Sequence, residues 1–275
     1  MTDNFNSLPE DDFKVLVEKL STLPEVEAIA LGGSRATERF DEKSDYDLYV
    51  YISSVPEEAS RMNILKSCCS YVEAGNSFWE LEDDCTLNNG IDIDILYRNP
   101  ADFENGLRAV VDQGQAFNGY STCMWYNLLH STILYDKNGW YSRIQSEFDK
   151  PYPQTLQQNI IERNRRLLTG NLPSYDRQIA KAASRQDLTS INHRTAAYLE
   201  SYFDILFALN ALPHPGEKRM VQNLLDEAKL LPADFKENLD GLFENLFADS
   251  AKALAILRRM TDSLQTLLAE NGFNS

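Results

Sequence analysis

Apolar positions along this chain alternate in short runs through its first half and recur at helical spacing through most of its second. Val26 to Leu31 is a short apolar-rich run closed by Gly32-Gly33, which predicts a strand ending in a tight turn. Asp45 to Ile52 is rich in aromatic and β-branched residues and predicts a second strand. Gly90 to Tyr97 predicts a third, with acids on one face and isoleucines on the other. Glu10 to Leu23 predicts a first amphipathic helix with Phe13, Leu16, Val17 and Leu20 on one face, and Glu57 to Glu73 a second. Asn105 to Gly114 and Thr122 to His130 are further helical segments.

Pro151-Tyr152-Pro153 marks the best boundary, because prolines stop helices and stiffen linkers. Beyond it the pattern is nearly all helical: Leu156 to Thr169, Asp176 to Arg185, Ile191 to Leu212, Glu217 to Leu230, Ala233 to Phe247 and Ser250 to Glu270. Two domains are expected. Residues 1–150 form an α/β (α+β) domain, and residues 151–275 an all-helical bundle.

Candidate chemistry lies where the first two strands end and begin. Glycines at 32 and 33 let backbone N–H groups approach an anion, and a helix starting at Ser34 would add its own N–H groups. Asp45 and Asp47 alternate to the same face of the second strand. Carboxylates that close repel, so a cation should join them, and Mg²⁺ suits a site with few carboxylates that leaves room for phosphate oxygens. The third strand supplies another acid, Asp92 or Asp94. A solvated acidic loop with a charged edge strand is the bland alternative.

The order Gly33-Ser34, Asp45-x-Asp47 and a later strand acid resembles the DNA polymerase β-type nucleotidyltransferases, in particular the small bacterial branch that includes aminoglycoside and lincosamide nucleotidyltransferases. The resemblance favours Asp94 as third acid, because it precedes the run Ile95-Leu96-Tyr97-Arg98, with Asp92 as the alternative. One departure is that relatives often carry a glycine where this chain reads Thr37-Glu38-Arg39-Phe40. The resemblance implies a mixed sheet and a metal-dependent transfer of a nucleoside monophosphate from an NTP, ATP first among them, to a hydroxyl of a small acceptor. Asp45, Asp47 and Asp94 would be the catalytic residues and hold two Mg²⁺ ions; Gly32, Gly33, Ser34, Arg35, Ser44 and Lys218 would bind nucleotide. The alternatives are a non-catalytic, regulatory or antitoxin-like module of the same fold, or a protein acceptor.

Charge narrows the partners. Residues 1–150 hold 12 Lys/Arg and 27 Asp/Glu, and the rest 14 and 15, so a net charge of −16 falls almost wholly on the first half. Such a surface disfavours a polyanionic acceptor, and no nucleic acid is expected. Cys68, Cys69, Cys85 and Cys123 have no zinc spacing, and Cys68-Cys69 reads as buried helix packing. A polar, acidic N-terminus and the lack of a long apolar run point to the cytoplasm and away from a membrane. His130, His193 and His214 read as structural, Tyr198, Tyr202, Phe203 and Phe207 as core, and Glu200 and Asp204 as a solvated helix face, with the resemblance leaving a catalytic base or acceptor-binding acid from the second domain as their other reading. Acceptor identity and oligomeric state are not legible.

Overall fold

A computed structural model describes residues 11–36, 44–78 and 80–273. They fall into two compact units. The first comprises residues up to Leu107 together with Asn127–Lys150; the second comprises Arg108–Tyr126 and everything from Pro151 onward.

The first unit is built on a six-stranded mixed sheet, in the order β3-β4-β5-β2-β1-β6. Its strands are β1 (Val26–Gly32), β2 (Tyr46–Ile52), β3 (Cys69–Asn76), β4 (Leu81–Leu87), β5 (Asp92–Arg98) and β6 (Thr132–Asp136). β2 and β5 run parallel, and every other neighbouring pair is antiparallel. β2 therefore lies inside the sheet, which removes the charged-edge-strand reading of Asp45 and Asp47.

One face of the sheet is apolar. Leu48, Val50 and Ile52 of β2 join Ile93 and Ile95 of β5 and Ile29 and Leu31 of β1 in one buried cluster. Helix α1 (Asp11–Leu20) adds Phe13, Leu16, Val17 and Leu20, and α2 (Glu58–Cys68) adds Leu65 and Cys68. Phe13 stacks on Tyr46 at 4.1 Å between ring centroids. The other face turns Tyr51 toward Phe103 of α3 (Pro100–Val111) and toward Trp140 and Tyr141 of α5 (Trp140–Phe148).

The helix expected over Glu57 to Glu73 is a correction. It stops at Cys68, and Cys69–Asn76 turns into β3. Cys69 is thus a buried strand residue, while Cys68 ends the helix. β3 is an edge strand with mostly exposed side chains, so it carries little apolar signal. Its partner β4, Leu-Glu-Asp-Asp-Cys-Thr-Leu, is too acidic to read as a strand unaided.

β4 is fixed in register by a buried charge. Asp83 has no exposed surface and accepts hydrogen bonds from the Gly75 N–H and the Tyr97 hydroxyl, both at 2.8 Å. Arg61 of α2 approaches it at 3.6 Å and lies over the Tyr97 ring.

The second unit is helical: α6 (Gln154–Leu168), α7 (Tyr175–Ser184), α8 (Leu188–Leu209), α9 (Met220–Glu227), α10 (Phe235–Asn245) and α11 (Ser250–Glu270). α6 and α7 pack on α8, α7 also on α11, and α10 on α11. Asp187 and Asp249 start α8 and α11 by accepting from the N–H groups of Ser190 and Lys252. Tyr198, Tyr202, Phe203 and Phe207 are all buried, as the helical spacing predicts.

Asp204 departs from expectation. It is buried rather than solvated, and accepts from the Ser121 N–H (3.0 Å), the Ser121 hydroxyl (2.7 Å) and Asn164 Nδ2 (3.0 Å). Burial raises its pKa to about 6 against these three bonds, which lower it. His214 is equally buried, held by Thr122 and Gly216, and burial lowers its pKa to about 3. Among the described residues no helix is long and apolar enough to cross a membrane.

Asp83→Ala strands the buried guanidinium of Arg61, and urea unfolding should show a loss of about 3–5 kcal/mol. A loss under 1 kcal/mol would mean that this contact does not hold β4.

Candidate active site

Strand register decides which acids meet. Gly32 lies opposite Asp47, Asp47 opposite Asp94, Asp94 opposite Asp84, and Asp84 opposite Glu73. Residues directly opposite in a sheet share a face, so four carboxylates form a row across four strands. The row stands on the face opposite the apolar cluster, because Tyr46, Leu48, Ile93 and Ile95 alternate to the other side.

The glycine turn closes the β1 end of the row. Gly33 has φ +62°, and a Cβ there would sit 1.7 Å from Asp47 Oδ2. The Asp47 carboxylate thus occupies the space any other residue would need, and the left-handed backbone favours glycine as well. Gly32 is also confined, since a Cβ would lie 2.2 Å from the Tyr49 ring. The helix expected from Ser34 is a single 3-10 turn, Ser34–Ala36, too short to add an appreciable dipole. Arg35 lies flat over the Tyr46 ring at 4.1 Å, and its Nε donates to the Ser44 carbonyl at 2.6 Å. That bond ties the turn to the start of β2. Residues 37–43, where the glycine of relatives would fall, lie outside the described residues.

Asp94 feels the row most strongly. Its pKa rises to about 6, first through burial and then through Asp47, Asp84, Asp45 and Glu82. Asp92 is exposed and accepts from the Thr86 hydroxyl at 2.7 Å, away from Asp47 in register. Lys218 is exposed in the turn before α9, in the helical unit.

Among the described residues no three His, Cys, Asp or Glu side chains are gathered closely enough to hold a metal ion as they stand. The donor set nonetheless fits a hard divalent cation. It is all carboxylate oxygen, and the charges that raise the Asp94 pKa, those of Asp47, Asp84, Asp45 and Glu82, are negative. Asp84, Asn76 and the residues beneath the row were not singled out from sequence. Asp84 accepts from Asn76 Nδ2 at 3.1 Å, and the alternation of Glu82 and Asp84 within Leu81–Leu87 is the one signal that could have found it.

Residues 14–105 match the family model for polymerase beta nucleotidyltransferases. The β1 turn, Asp45, Asp47 and Asp94 all fall within that segment, which is a nucleotidyltransferase domain. No curated protein sequence matches the chain. Among solved structures, it is similar to a nucleotidyltransferase-like protein from Exiguobacterium sibiricum, at 13% identity and a TM-score of 0.44, covering 94% of this chain and 78% of that one. It is also similar to an aminoglycoside 6-adenyltransferase from Bacillus subtilis, at 10% identity and a TM-score of 0.29, covering 95% and 92%. A third is a spectinomycin adenyltransferase from Enterococcus faecialis, solved with ATP and spectinomycin, at 12% identity and a TM-score of 0.31, covering 89% and 98%.

Two outcomes follow from this geometry. Gly33→Ala should lower the melting temperature more than Gly90→Ala, because both have positive φ but only Gly33 faces another group, Asp47, within 4 Å. Equal losses would mean that the carboxylate does not press on the turn. Asp94, with its pKa above the ordinary 3.8, binds its proton more tightly folded than unfolded, so stability falls as pH rises from about 4 to about 6. Asp94→Asn should therefore stabilise the protein by about 1 kcal/mol at pH 7.5 in chelator, a figure discounted for solvent screening, and by nothing at pH 4.

Proposed function

We propose that the chain transfers a nucleoside monophosphate from an NTP, with ATP the first candidate, to a hydroxyl of a small acceptor, releasing pyrophosphate. The observation that carries this reading is the register that sets Asp47 over Gly33 and opposite Asp94 within a segment matching the nucleotidyltransferase model. Asp45, Asp47 and Asp94 are the residues we assign to two Mg²⁺ ions. When bound, such ions supply charge stabilisation to the attacking and leaving oxygens of an in-line displacement.

The chain's own groups do the rest. In this reading the N–H groups of Gly32 and Gly33 and the Ser34 hydroxyl bind the β- and γ-phosphates. Arg35 and Ser44 are further nucleotide-binding residues in the same reading. Asp94, or a nearby acid, takes the acceptor's proton. Most of the acceleration then comes from positioning and fixed charge rather than from a covalent intermediate. Aminoglycosides and lincosamides are the acceptors to test first, which would make the protein an antibiotic-resistance enzyme. We take the cytoplasm as its setting.

Pyrophosphate release with Mg²⁺, the four NTPs and a panel of both antibiotic classes tests the reading. Asp47→Asn should lower the rate by at least about 10³-fold, as loss of a transition-state charge contact does, whereas Tyr46→Phe should keep activity within about threefold. A signal indifferent to Asp47→Asn would mean that the pyrophosphate comes from elsewhere. Wild-type protein that binds an NTP yet releases none with any acceptor would favour a non-catalytic module.

A further inference from the structure

Beneath the carboxylate row lies a buried cation that the proposed chemistry does not use. Arg98 ends β5, and its side chain is only 10% exposed. Its Nε and Nη2 donate to Glu80 at 2.9 and 2.7 Å. The guanidinium lies over the Tyr49 ring at 4.3 Å and also faces Phe103 at 5.8 Å. Burying a guanidinium is costly even when it is paired, so its placement calls for a reason.

Tyr49 supplies the reason. It follows Asp47 by two positions on β2 and shares its face. Its hydroxyl accepts from Asn127 Nδ2 at 2.7 Å, and burial keeps the phenol protonated. The ring reaches diagonally to β1 and fills the space where Gly32 lacks a side chain. Glu80, Arg98, Tyr49 and Gly32 therefore form one continuous stack. It ends on the backbone of the glycine turn, one residue before the position that Asp47 overlies. Strand pairing fixes β1 only up to Gly32, so beyond it the turn's N–H directions depend on what supports it from below.

We infer that Arg98 is a positioning residue for the nucleotide-binding turn, acting through the Tyr49 ring on Gly32 and Gly33. The inference rests on the reading of that turn as the phosphate site. Lysine at 98 would keep the charge but lose both the planar stacking surface and the two-point grip on Glu80. Leucine at 49 would keep the burial but lose the flat ring. Phenylalanine at 49 would keep the ring and lose only the bond to Asn127.

Two measurements on the full chain decide it. One is the affinity for α,β-methylene-ATP with Mg²⁺ by calorimetry. The other is hydrogen exchange at the amides of residues 31–34. Arg98→Lys and Tyr49→Leu should each weaken the analogue by roughly tenfold, in the range known for supporting residues behind a site, and speed exchange in the turn. Tyr49→Phe should cost less than about threefold. Leu65→Ala, a cavity in the opposite-face core, should lower the melting temperature while leaving both readouts within about twofold. Unchanged exchange in Arg98→Lys overturns the inference, as does Leu65→Ala moving both readouts as far as Arg98→Lys does. If wild-type protein fails to bind the analogue, the phosphate reading of the turn fails separately, and exchange alone then decides whether Arg98 positions it.

Discussion

Like charges on neighbouring strands repel, and the first unit of this protein holds four of them in line. Asp47, Asp94, Asp84 and Glu73 face the same way across β2, β5, β4 and β3. On that face the bond from Asn76 Nδ2 to Asp84 offsets part of the repulsion. The restraint comes from the other side of the sheet, where Leu48, Ile93 and Ile95 are buried against α1 and α2. A slip of one residue would turn those side chains to water and bring acids into the core, so apolar burial fixes the charged register. Asp83 adds a second restraint by fastening β4 through Tyr97, Gly75 and Arg61. Hydrophobic burial on one face is thus converted into concentrated negative potential on the other.

That conversion explains why the acids sit on strands and only the anion-facing groups on a turn. Strands in a packed sheet tolerate repulsion without drifting. The turn must let backbone come close to a carboxylate and, in the function we propose, to a phosphate, which the bare Cα of Gly33 permits. The two requirements meet at a single point, where Asp47 overlies Gly33.

Much of this was legible in the sequence. β5 alternates cleanly, β1 and β2 are short apolar-rich runs, and the Gly-Gly-Ser turn and the aspartates stand out against them. Register was not legible, because no local pattern says that β5 follows β2 in space after a hairpin has intervened. The hairpin itself was hidden. β3 continues the polar composition of the helix before it, and β4 is acidic where strands are usually apolar. In the helical half, periodicity put Glu200 and Asp204 on one face and suggested solvent. Asp204 is buried because its partners, Ser121 and Asn164, lie 83 and 40 residues away, beyond any local window. Arg98 was visible only as the end of a motif, and Tyr49 only as an aromatic strand residue, since their joint meaning depends on a stack spanning four segments.

The division of the chain has a practical consequence for anyone who would dissect it. The backbone passes from one unit to the other inside α3, again inside α4 (Cys123–His130), and a third time at Pro151. Cutting at the proline boundary would leave Ser121 and Thr122 on a fragment without Asp204 and His214, the buried groups they serve. The helical fragment would keep a buried carboxylate deprived of two of its three hydrogen bonds. Neither half is a self-sufficient piece of polypeptide. A fragment meant to carry the whole helical unit would have to include residues 108–126 as well.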